Sequence, residues 1–306
     1  MGYILGIDVG GTNTRLGLVS ESGELTEFVR EATSQYNTEG KAVTLFMELV
    51  KKYISEHAKD KAIDAISVGF PSTVDKDRKV VIETPNIAGL NNIPVVDTFE
   101  KEFGVPVFLE RDTCLILIND MEKNRIPAEG VAIGIYYGTG IGNAISIDGR
   151  IFTGKHGVSA ELGHIPMRGV EGRCGCGNSS CAEVVACGRA LEGIMERHFP
   201  GEDISKVFTE HGDSEVIKRF VDDLSIPAAT EINILDPDYI IIGGGLPNME
   251  GFPREELESH IHRYSRKPLP DEDLRFIYSK EGQESGVMGA AIHARQELLK
   301  REKAER

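Results

Sequence analysis

The stretch IDVGGTNTRLGLVSESGEL, at residues 7–25, has a pattern that returns as IYYGTGIGNAISIDGRI at residues 135–151. Each stretch reads as an apolar strand, a turn with Gly and Thr, a second strand, another Gly-containing turn and a third strand. Thr12 and Thr139 occupy matching positions, 127 residues apart. This repetition predicts an internal duplication, with two related domains that face each other across a cleft.

The alternation of strands and helical patterns along the chain predicts the α/β class. A chain of 306 residues is long enough for two domains. We expect residues 1–115, together with a C-terminal helix at about 290–306, to form the smaller domain. Residues 116–289 are expected to form the larger one.

The composition restricts the classes of partner. The net charge is −15, which disfavours nucleic acid or an anionic membrane as a main partner. No apolar run reaches 18 residues, and no basic leader precedes an apolar segment. We therefore expect a cytoplasmic protein that is not in a membrane.

Three cysteines and a histidine have the spacing of a metal site. The order is His164, then Cys174-x-Cys176-x4-Cys181. Three thiolates and one imidazole are a typical ligand set for a structural zinc ion, because no coordination position is left open for catalysis. The alternative is a group of free buried cysteines. Cys114 and Cys187 stand alone in apolar surroundings and are expected in the core.

Two glutamates lie beside those ligands. Glu161 is three residues before His164, and Glu183 is two residues after Cys181. A metal ion would fix both carboxylates on one small scaffold, and carboxylates accept hydrogen bonds from several hydroxyl groups at once. This pattern indicates a polar wall suited to a polyol, although both could instead be solvated surface charges.

Gly-rich turns follow three apolar strands. Their glycines allow backbone N–H groups to approach an anion closely. The two Gly-Thr turns could together hold a polyphosphate, and the third could lie against a planar base. None matches the P-loop pattern GxxxxGK[ST], and a dinucleotide-binding fold is not indicated. The candidate nucleotide-binding residues are Asp8, Gly10, Gly11, Thr12, Asn13, Gly138, Thr139, Gly140, Gly243, Gly244 and Gly245.

Asp112 is the candidate general base because it lies at the end of a predicted strand, where α/β proteins place ligand contacts. Phosphoryl transfer to an alcohol uses a carboxylate that accepts the hydroxyl proton, together with Mg²⁺ on the phosphates. Asp8 could orient that ion through water. Asn86, in Thr84-Pro-Asn, is a further candidate for substrate binding. A cap or turn role for Asp112 remains the alternative.

Together, these motifs resemble the ROK family of sugar kinases, which has the actin/hexokinase-type ATPase fold with duplicated βββαβα domains. The resemblance covers residues 4–294. It rests on Asp8-x-Gly-Gly-Thr, Gly138-Thr-Gly-x-Gly, Glu161-x-Gly-His, the Cys174–Glu183 run and Gly243-Gly-Gly. It implies that Asp112 is the catalytic base and that Glu161, His164 and Glu183 bind the sugar. It also implies that ATP phosphates lie at the Gly-Thr turns, that adenosine lies near Gly243–Gly245 and that the protein is a homodimer.

One departure from the family pattern bears on the substrate. The family usually has Asn before the catalytic Asp, where it contacts ring hydroxyls, and this chain has Arg111. A guanidinium in place of an amide should change which hydroxyl orientations are accepted. Further segments, such as Gly69-Phe-Pro and Arg266-Lys-Pro-Leu-Pro, resemble the members that act on D-allose. We therefore expect an ATP-dependent 6-kinase for an aldohexose, with D-allose first.

Other functions remain open at this stage. Within the family, the alternatives are a glucokinase or an N-acetylmannosamine kinase. Outside catalysis, they are a sugar sensor on the same fold or a ROK-type transcriptional regulator. Such regulators carry a DNA-binding segment ahead of the kinase-like part, whereas here the first predicted strand begins at Tyr3 and the chain is acidic. These two observations disfavour the regulator.

Overall fold

The computed structural model describes residues 2–84, 87–280 and 282–305. The chain divides into two compact units. Unit 1 consists of Met1–Ile126, Thr153–Ser159 and Gly282–Arg306, and unit 2 consists of Pro127–Phe152 and Ala160–Glu281. The domain boundaries expected from the sequence stay a prediction about independently folding parts.

The secondary structure follows the predicted alternation of strands and helices. The strands are β1 (Tyr3–Val9), β2 (Asn13–Val19), β3 (Leu25–Ala32), β4 (Ile63–Phe70), β5 (Thr73–Val74), β6 (Val81–Glu83), β7 (Val107–Arg111), β8 (Val131–Tyr137), β9 (Ile141–Ile147), β10 (Arg150–Ile151), β11 (Tyr239–Gly243) and β12 (Phe276–Tyr278). The helices are α1 (Ala42–His57), α2 (Val95–Phe103), α3 (Asp112–Lys123), α4 (Gly188–His198), α5 (Val207–His211), α6 (Glu215–Leu235), α7 (Arg254–Tyr264) and α8 (Ser285–Glu305).

Each unit has a five-stranded sheet with the same topology. The order is β3-β2-β1-β4-β7 in unit 1 and β10-β9-β8-β11-β12 in unit 2. In both sheets the first three strands form an antiparallel meander, and the last two lie parallel to the first. Parallel strands end at the same edge of a sheet, so the turns that follow β1, β4 and β7 lie at one edge of unit 1.

The cores are apolar and close-packed. In unit 1, one face of α1 is buried through residues at helical spacing, such as Phe46, Leu49 and Val50. Complete burial of a side chain of this size contributes about 1.5–3 kcal/mol to folding. On the other face of the same sheet, α8 packs through small residues such as Ala291 and Ala294. This close approach also requires Gly6, because a Cβ atom there would collide with the backbone carbonyl of Val287.

Three segments have helical bounds that the sequence pattern alone does not specify. Residues 113–125 lie almost entirely in α3, whose Leu115, Leu117 and Ile118 are buried. Proline in a helix interior usually kinks or breaks the helix, yet α6 runs uninterrupted over Glu215–Leu235 with Pro227 inside it. Its long buried face offsets the hydrogen bond that proline cannot donate. Finally, α4 begins only at Gly188, because the preceding Cys187 is fully extended.

Candidate active site and metal centre

Asp112 is the first residue of α3, directly after β7. Arg111 before it is extended (φ −72°, ψ 142°), so the backbone turns abruptly from strand to helix at the carboxylate. Asp112 is half-buried, and its Oδ1 accepts a hydrogen bond of 2.7 Å from the backbone N–H of Thr113. Gly69 on β4 allows this approach, since a Cβ atom there would lie 2.6 Å from Cδ1 of Leu115. The carboxylate is therefore oriented at the carboxyl edge of the sheet.

Asp8 lies near the end of β1, at the same edge. Its Oδ2 accepts a hydrogen bond of 3.0 Å from Nη1 of Arg15. Burial raises the pKa of the Asp8 carboxyl group, and the Arg15 guanidinium only partly opposes this effect. Gly286 at the start of α8 is equally close, because a Cβ atom there would lie 2.5 Å from Cγ of Asp8.

Hydrogen bonds to two backbone carbonyls hold the turn after β1 in place. The N–H of Gly10 donates to the carbonyl of Asn13 over 2.9 Å, and the hydroxyl of Thr33 donates to the carbonyl of Gly10 over 2.7 Å. Gly11 and Thr12 are exposed at the tip. The turn is therefore an ordered loop with accessible groups, as an anion site requires.

The two Gly-rich turns of unit 2 adjoin each other. Gly243 at the end of β11 pairs with Tyr136 near the end of β8, which leads into Gly138-Thr139-Gly140. Gly244 has φ +95°, and a Cβ atom there would lie 2.5 Å from the carbonyl oxygen of Tyr137. The sequence identified these turns separately, and the parallel pairing of β8 with β11 brings them together. Gly245 has open space at its Cβ position.

The structure brings the four predicted metal ligands together. The candidate ligand atoms of His164, Cys174, Cys176 and Cys181 all lie within 4.8 Å of one another. Sγ of Cys174 is 3.5 Å from Nδ1 of His164, and the Sγ atoms of Cys176 and Cys181 are 3.7 Å apart. Around a tetrahedral zinc ion, an N–S pair would be about 3.5 Å apart and an S–S pair about 3.8 Å. The donor set and its spacing therefore fit zinc.

The thiols in this cluster differ in their surroundings. Hydrogen bonding to the backbone at Asn178 lowers the pKa of the exposed Cys176 thiol, whereas burial raises that of Cys181 to about 12. Metals bind the thiolate form. Binding an ion would therefore release protons from this cluster. Cys114 and Cys187 are buried away from the cluster, in agreement with the expected core positions.

Glu161 and Glu183, both close in sequence to the metal cluster, make different contacts. Oε2 of Glu161 is 3.6 Å from Nε2 of His164, the ring nitrogen opposite the one that faces Cys174. Oε2 of Glu183 instead accepts a hydrogen bond of 3.0 Å from the backbone N–H of Ile141. Its carboxylate also occupies the space that a side chain at Gly140 would fill. Glu183 thus connects the cluster to the Gly138-Thr139-Gly140 turn.

The remaining predicted residues have different outcomes. Nη1 of Arg111 donates a hydrogen bond of 2.7 Å to the carbonyl of Ser159. Asn86 lies outside the residues that the structure describes. The sequence reading missed Glu110 and Arg78, which form an ion pair of 3.0 Å in unit 1. A signal was present at Glu110, because an acid within the apolar strand Val107–Arg111 requires a buried partner.

Comparisons with known proteins identify the family. The model of the ROK family matches residues 4–297. An N-acetyl-D-glucosamine kinase of Vibrio parahaemolyticus is 30% identical over 94% of this chain and 98% of its own, and a glucokinase of Thermotoga maritima is 26% identical over 94% and 96%. The crystal structure of the ROK hexokinase from Thermus thermophilus superposes with a TM-score of 0.79 at 26% identity, covering 97% of this chain and 99% of that one.

These findings confirm the predicted α/β fold of the actin/hexokinase type. Within the described residues, no helix is both long and apolar enough to cross a membrane. A family model that matches nearly the whole chain, with relatives aligned along the same length, shows that this protein belongs to the ROK family.

Proposed function

We propose that this protein is a sugar kinase that transfers the γ-phosphoryl group of ATP to the 6-hydroxyl of an aldohexose, with D-allose as the first substrate to test. The broad class, ATP-dependent phosphorylation of a sugar, follows from family membership and from full-length relatives named as sugar kinases. The observation that carries the proposal is the placement of Asp112 at the carboxyl end of β7.

Asp112 acts as the general base in this proposal. As the 6-hydroxyl oxygen bonds to the γ-phosphorus, the bond to the leaving oxygen of ADP breaks and the hydroxyl proton passes to the Asp112 carboxylate. The hydrogen bond from the Thr113 N–H fixes one carboxylate oxygen, so the orientation of the group is set before substrate binds.

The nucleotide is assigned to the three Gly-rich turns. Backbone N–H groups at Gly11 and Thr12 in unit 1, and at Gly138 and Thr139 in unit 2, would bind the phosphates, and adenosine would lie near Gly243–Gly245. Mg²⁺ would neutralise charge on the phosphates. Asp8 would orient this ion through water, and a nearby cation would favour the ionised form that burial disfavours.

The candidate sugar-binding residues are those that the family resemblance implies. In unit 2, Glu161 and Glu183 would accept hydrogen bonds from sugar hydroxyls. His164, if held by zinc through Nδ1, would donate a hydrogen bond from its Nε2–H to a sugar oxygen. A structural zinc ion supplies rigidity to this wall and no chemistry to the transfer step. In unit 1, Arg111 and Asn86 are the candidate contacts.

The identity of the sugar is the open part of the proposal. Arg111 replaces the Asn that the family usually has, which favours a hexose with a different hydroxyl orientation, such as D-allose, over D-glucose. The relatives named above are kinases of glucose and N-acetyl-D-glucosamine. Those two sugars and N-acetylmannosamine are therefore the alternative substrates.

An ADP-release assay with Mg·ATP tests the proposal. The panel is D-allose, D-glucose, D-mannose, N-acetylmannosamine, N-acetylglucosamine and D-fructose. Selective turnover of D-allose supports the complete proposal. Turnover of another sugar retains the kinase and rejects D-allose. Sugar binding without any turnover would favour the non-catalytic sensor, and binding of a DNA panel instead would favour the regulator.

Two further parts of the proposal concern the assembly and its location. We propose a homodimer, which sedimentation of the purified chain tests through its mass. We also propose a cytoplasmic location, which fractionation of the source cells tests. A monomer, or recovery with membranes, would reject the respective part and leave the kinase unaffected.

A further inference from the structure

Two arginines bind the segment Thr153–Ser159 to the rest of unit 1. Nη1 of Arg78 donates a hydrogen bond of 2.9 Å to the carbonyl of Gly157, and Nη1 of Arg111 donates one of 2.7 Å to the carbonyl of Ser159. The segment belongs to unit 1, although the residues on both sides of it belong to unit 2. It leads directly into Ala160 and Glu161, the latter a proposed sugar-binding residue.

Arg78 also binds the strand that ends at Asp112. Its Nε donates a hydrogen bond of 3.0 Å to Oε2 of Glu110, which is only 3% exposed. Oε1 of the same glutamate accepts a hydrogen bond of 2.9 Å from the backbone N–H of Arg111. One guanidinium therefore connects the segment to the backbone directly before Asp112. A buried carboxylate paired in this way keeps both oxygens in fixed positions.

The backbone at both ends of this contact is unusual. Arg78 has φ +54°, a region that favours glycine or asparagine in a turn. Gly157 has φ +84°, and a Cβ atom there would lie 2.8 Å from Nη1 of Arg78 and 2.6 Å from the carbonyl oxygen of Val74. An arginine with an unfavourable backbone, opposite a glycine that leaves room for its side chain, indicates that this contact has a function beyond closing the turn.

We propose that Arg78 is a positioning residue for the phosphoryl transfer. Through Glu110 it fixes the strand end that presents Asp112, and through Gly157 it fixes the segment that leads to Glu161. This inference rests on the proposed function. A lysine cannot replace it, because a single ammonium group does not reproduce the Nε and Nη1 donors of the planar fork.

Kinetics of Arg78→Lys test the proposal. We expect kcat to fall about tenfold and KM for the sugar to rise about tenfold, because a charge-assisted hydrogen bond is lost at each end. KM for ATP should stay within about twofold, since Arg78 contacts none of the proposed nucleotide turns. Lys76→Met is the matched control, because Lys76 is an exposed cation in the same turn. Its kinetics should equal those of the wild type.

Limited proteolysis provides a readout that does not depend on catalysis. Lys155 is an exposed trypsin site within the segment. Cleavage after Lys155, followed by mass spectrometry, should be about tenfold faster in Arg78→Lys and in Gly157→Ala, because both variants release the segment. The double variant should be no faster than either single variant, since both remove the same contact. Lys76→Met should be cleaved at the wild-type rate.

The outcomes separate this inference from the proposed function. Unchanged cleavage, or faster cleavage with unchanged kcat and sugar KM, would overturn the positioning role. A lower kcat with a higher KM for both the sugar and ATP, together with a lower melting temperature, would also overturn it. That result describes a general loss of structure. If the wild-type chain phosphorylates no sugar yet its variants are cleaved faster, the proposed function fails while the contact itself stands.

Discussion

The two sheets of this protein have one topology but different insertions and different residues at their strand ends. In unit 1 the third and fourth strands are separated by α1, and in unit 2 by the metal cluster with α4, α5 and α6. Asp8, near the end of β1, corresponds to Ile135 at the separation set by Thr12 and Thr139. The duplicated strands therefore specify where turns lie, and insertions and single substitutions at the strand ends determine what each unit does.

The largest effect is expected from Asp112→Asn, which removes the proposed base of unit 1 and leaves unit 2 intact. The loss in kcat should be about 10²–10⁴-fold, the usual contribution of a general base. Sugar binding, measured by calorimetry, should stay close to that of the wild type because the amide keeps the same shape. Glu122→Gln on the exposed side of α3 is the control. Near-normal turnover by the Asn variant would reject Asp112 as the base.

The converse experiment removes a proposed metal ligand from unit 2 and leaves Asp112 in place. Purified wild-type protein should contain about one zinc per chain. Cys176→Ser should lose it and melt at a lower temperature, because metal binding contributes directly to the stability of such a cluster. Cys187→Ser is the matched control, since a serine hydroxyl can still donate to the carbonyl of Glu183, as the thiol does over 3.0 Å. Equal zinc content in both variants would contradict the proposed ligand set.

A third experiment concerns adjacent glycines in unit 2. Gly244→Ala places a Cβ atom 2.5 Å from the Tyr137 carbonyl oxygen at φ +95°, so we expect a loss of about 1–3 kcal/mol in stability and a higher KM for ATP. Gly245→Ala meets nothing within 4 Å. Its melting temperature should therefore match that of the wild type. Equal melting temperatures for both variants would contradict the close contact between the two turns.

The smallest expected effect is on the pH dependence of stability, in which two buried glutamates should differ. Glu110 in unit 1 has an arginine partner, whereas Glu231 in unit 2 accepts a hydrogen bond of 3.0 Å from the Asn143 amide. Burial raises the pKa of Glu231 to about 8. Between its unfolded value near 4.5 and about 8, the folded state binds more protons than the unfolded state. The contribution of Glu231 to the free energy of unfolding is therefore fully present below about pH 4.5 and decreases as the pH rises to about 8.

Glu231→Gln should flatten this pH dependence. We expect its melting temperature to decrease less than that of the wild type between pH 5 and pH 8, measured by thermal unfolding in matched buffers. Asp238→Asn, at an exposed position directly before β11, is the control and should keep the wild-type slope in this range. An unchanged slope in Glu231→Gln would show that Glu231 is ionised when folded.

Local patterns in the sequence predicted a large part of this architecture. Strand periodicity and the repeated Gly-Thr turns predicted both sheets, and the spacing of His164 with Cys174, Cys176 and Cys181 predicted their cluster. The pairing of Arg78 with Glu110 could not be predicted, because the two residues are 32 positions apart and lie on different elements, the turn between β5 and β6 and strand β7. The continuity of α6 through Pro227 could not be predicted either, because packing, which a linear pattern does not describe, outweighs local propensity there.

The position of α8 has a consequence for synthesis on the ribosome. Its residues complete the core of unit 1 against Ile4, Val19 and Phe108, yet they are translated long after the strands that they cover. All of unit 2 leaves the exit tunnel earlier. One apolar face of the unit 1 sheet therefore stays uncovered until α8, nearly three hundred residues downstream, has been synthesised. A nascent chain truncated before Ser285 should thus contain a protease-resistant unit 2 and a unit 1 that a chaperone still has to cover.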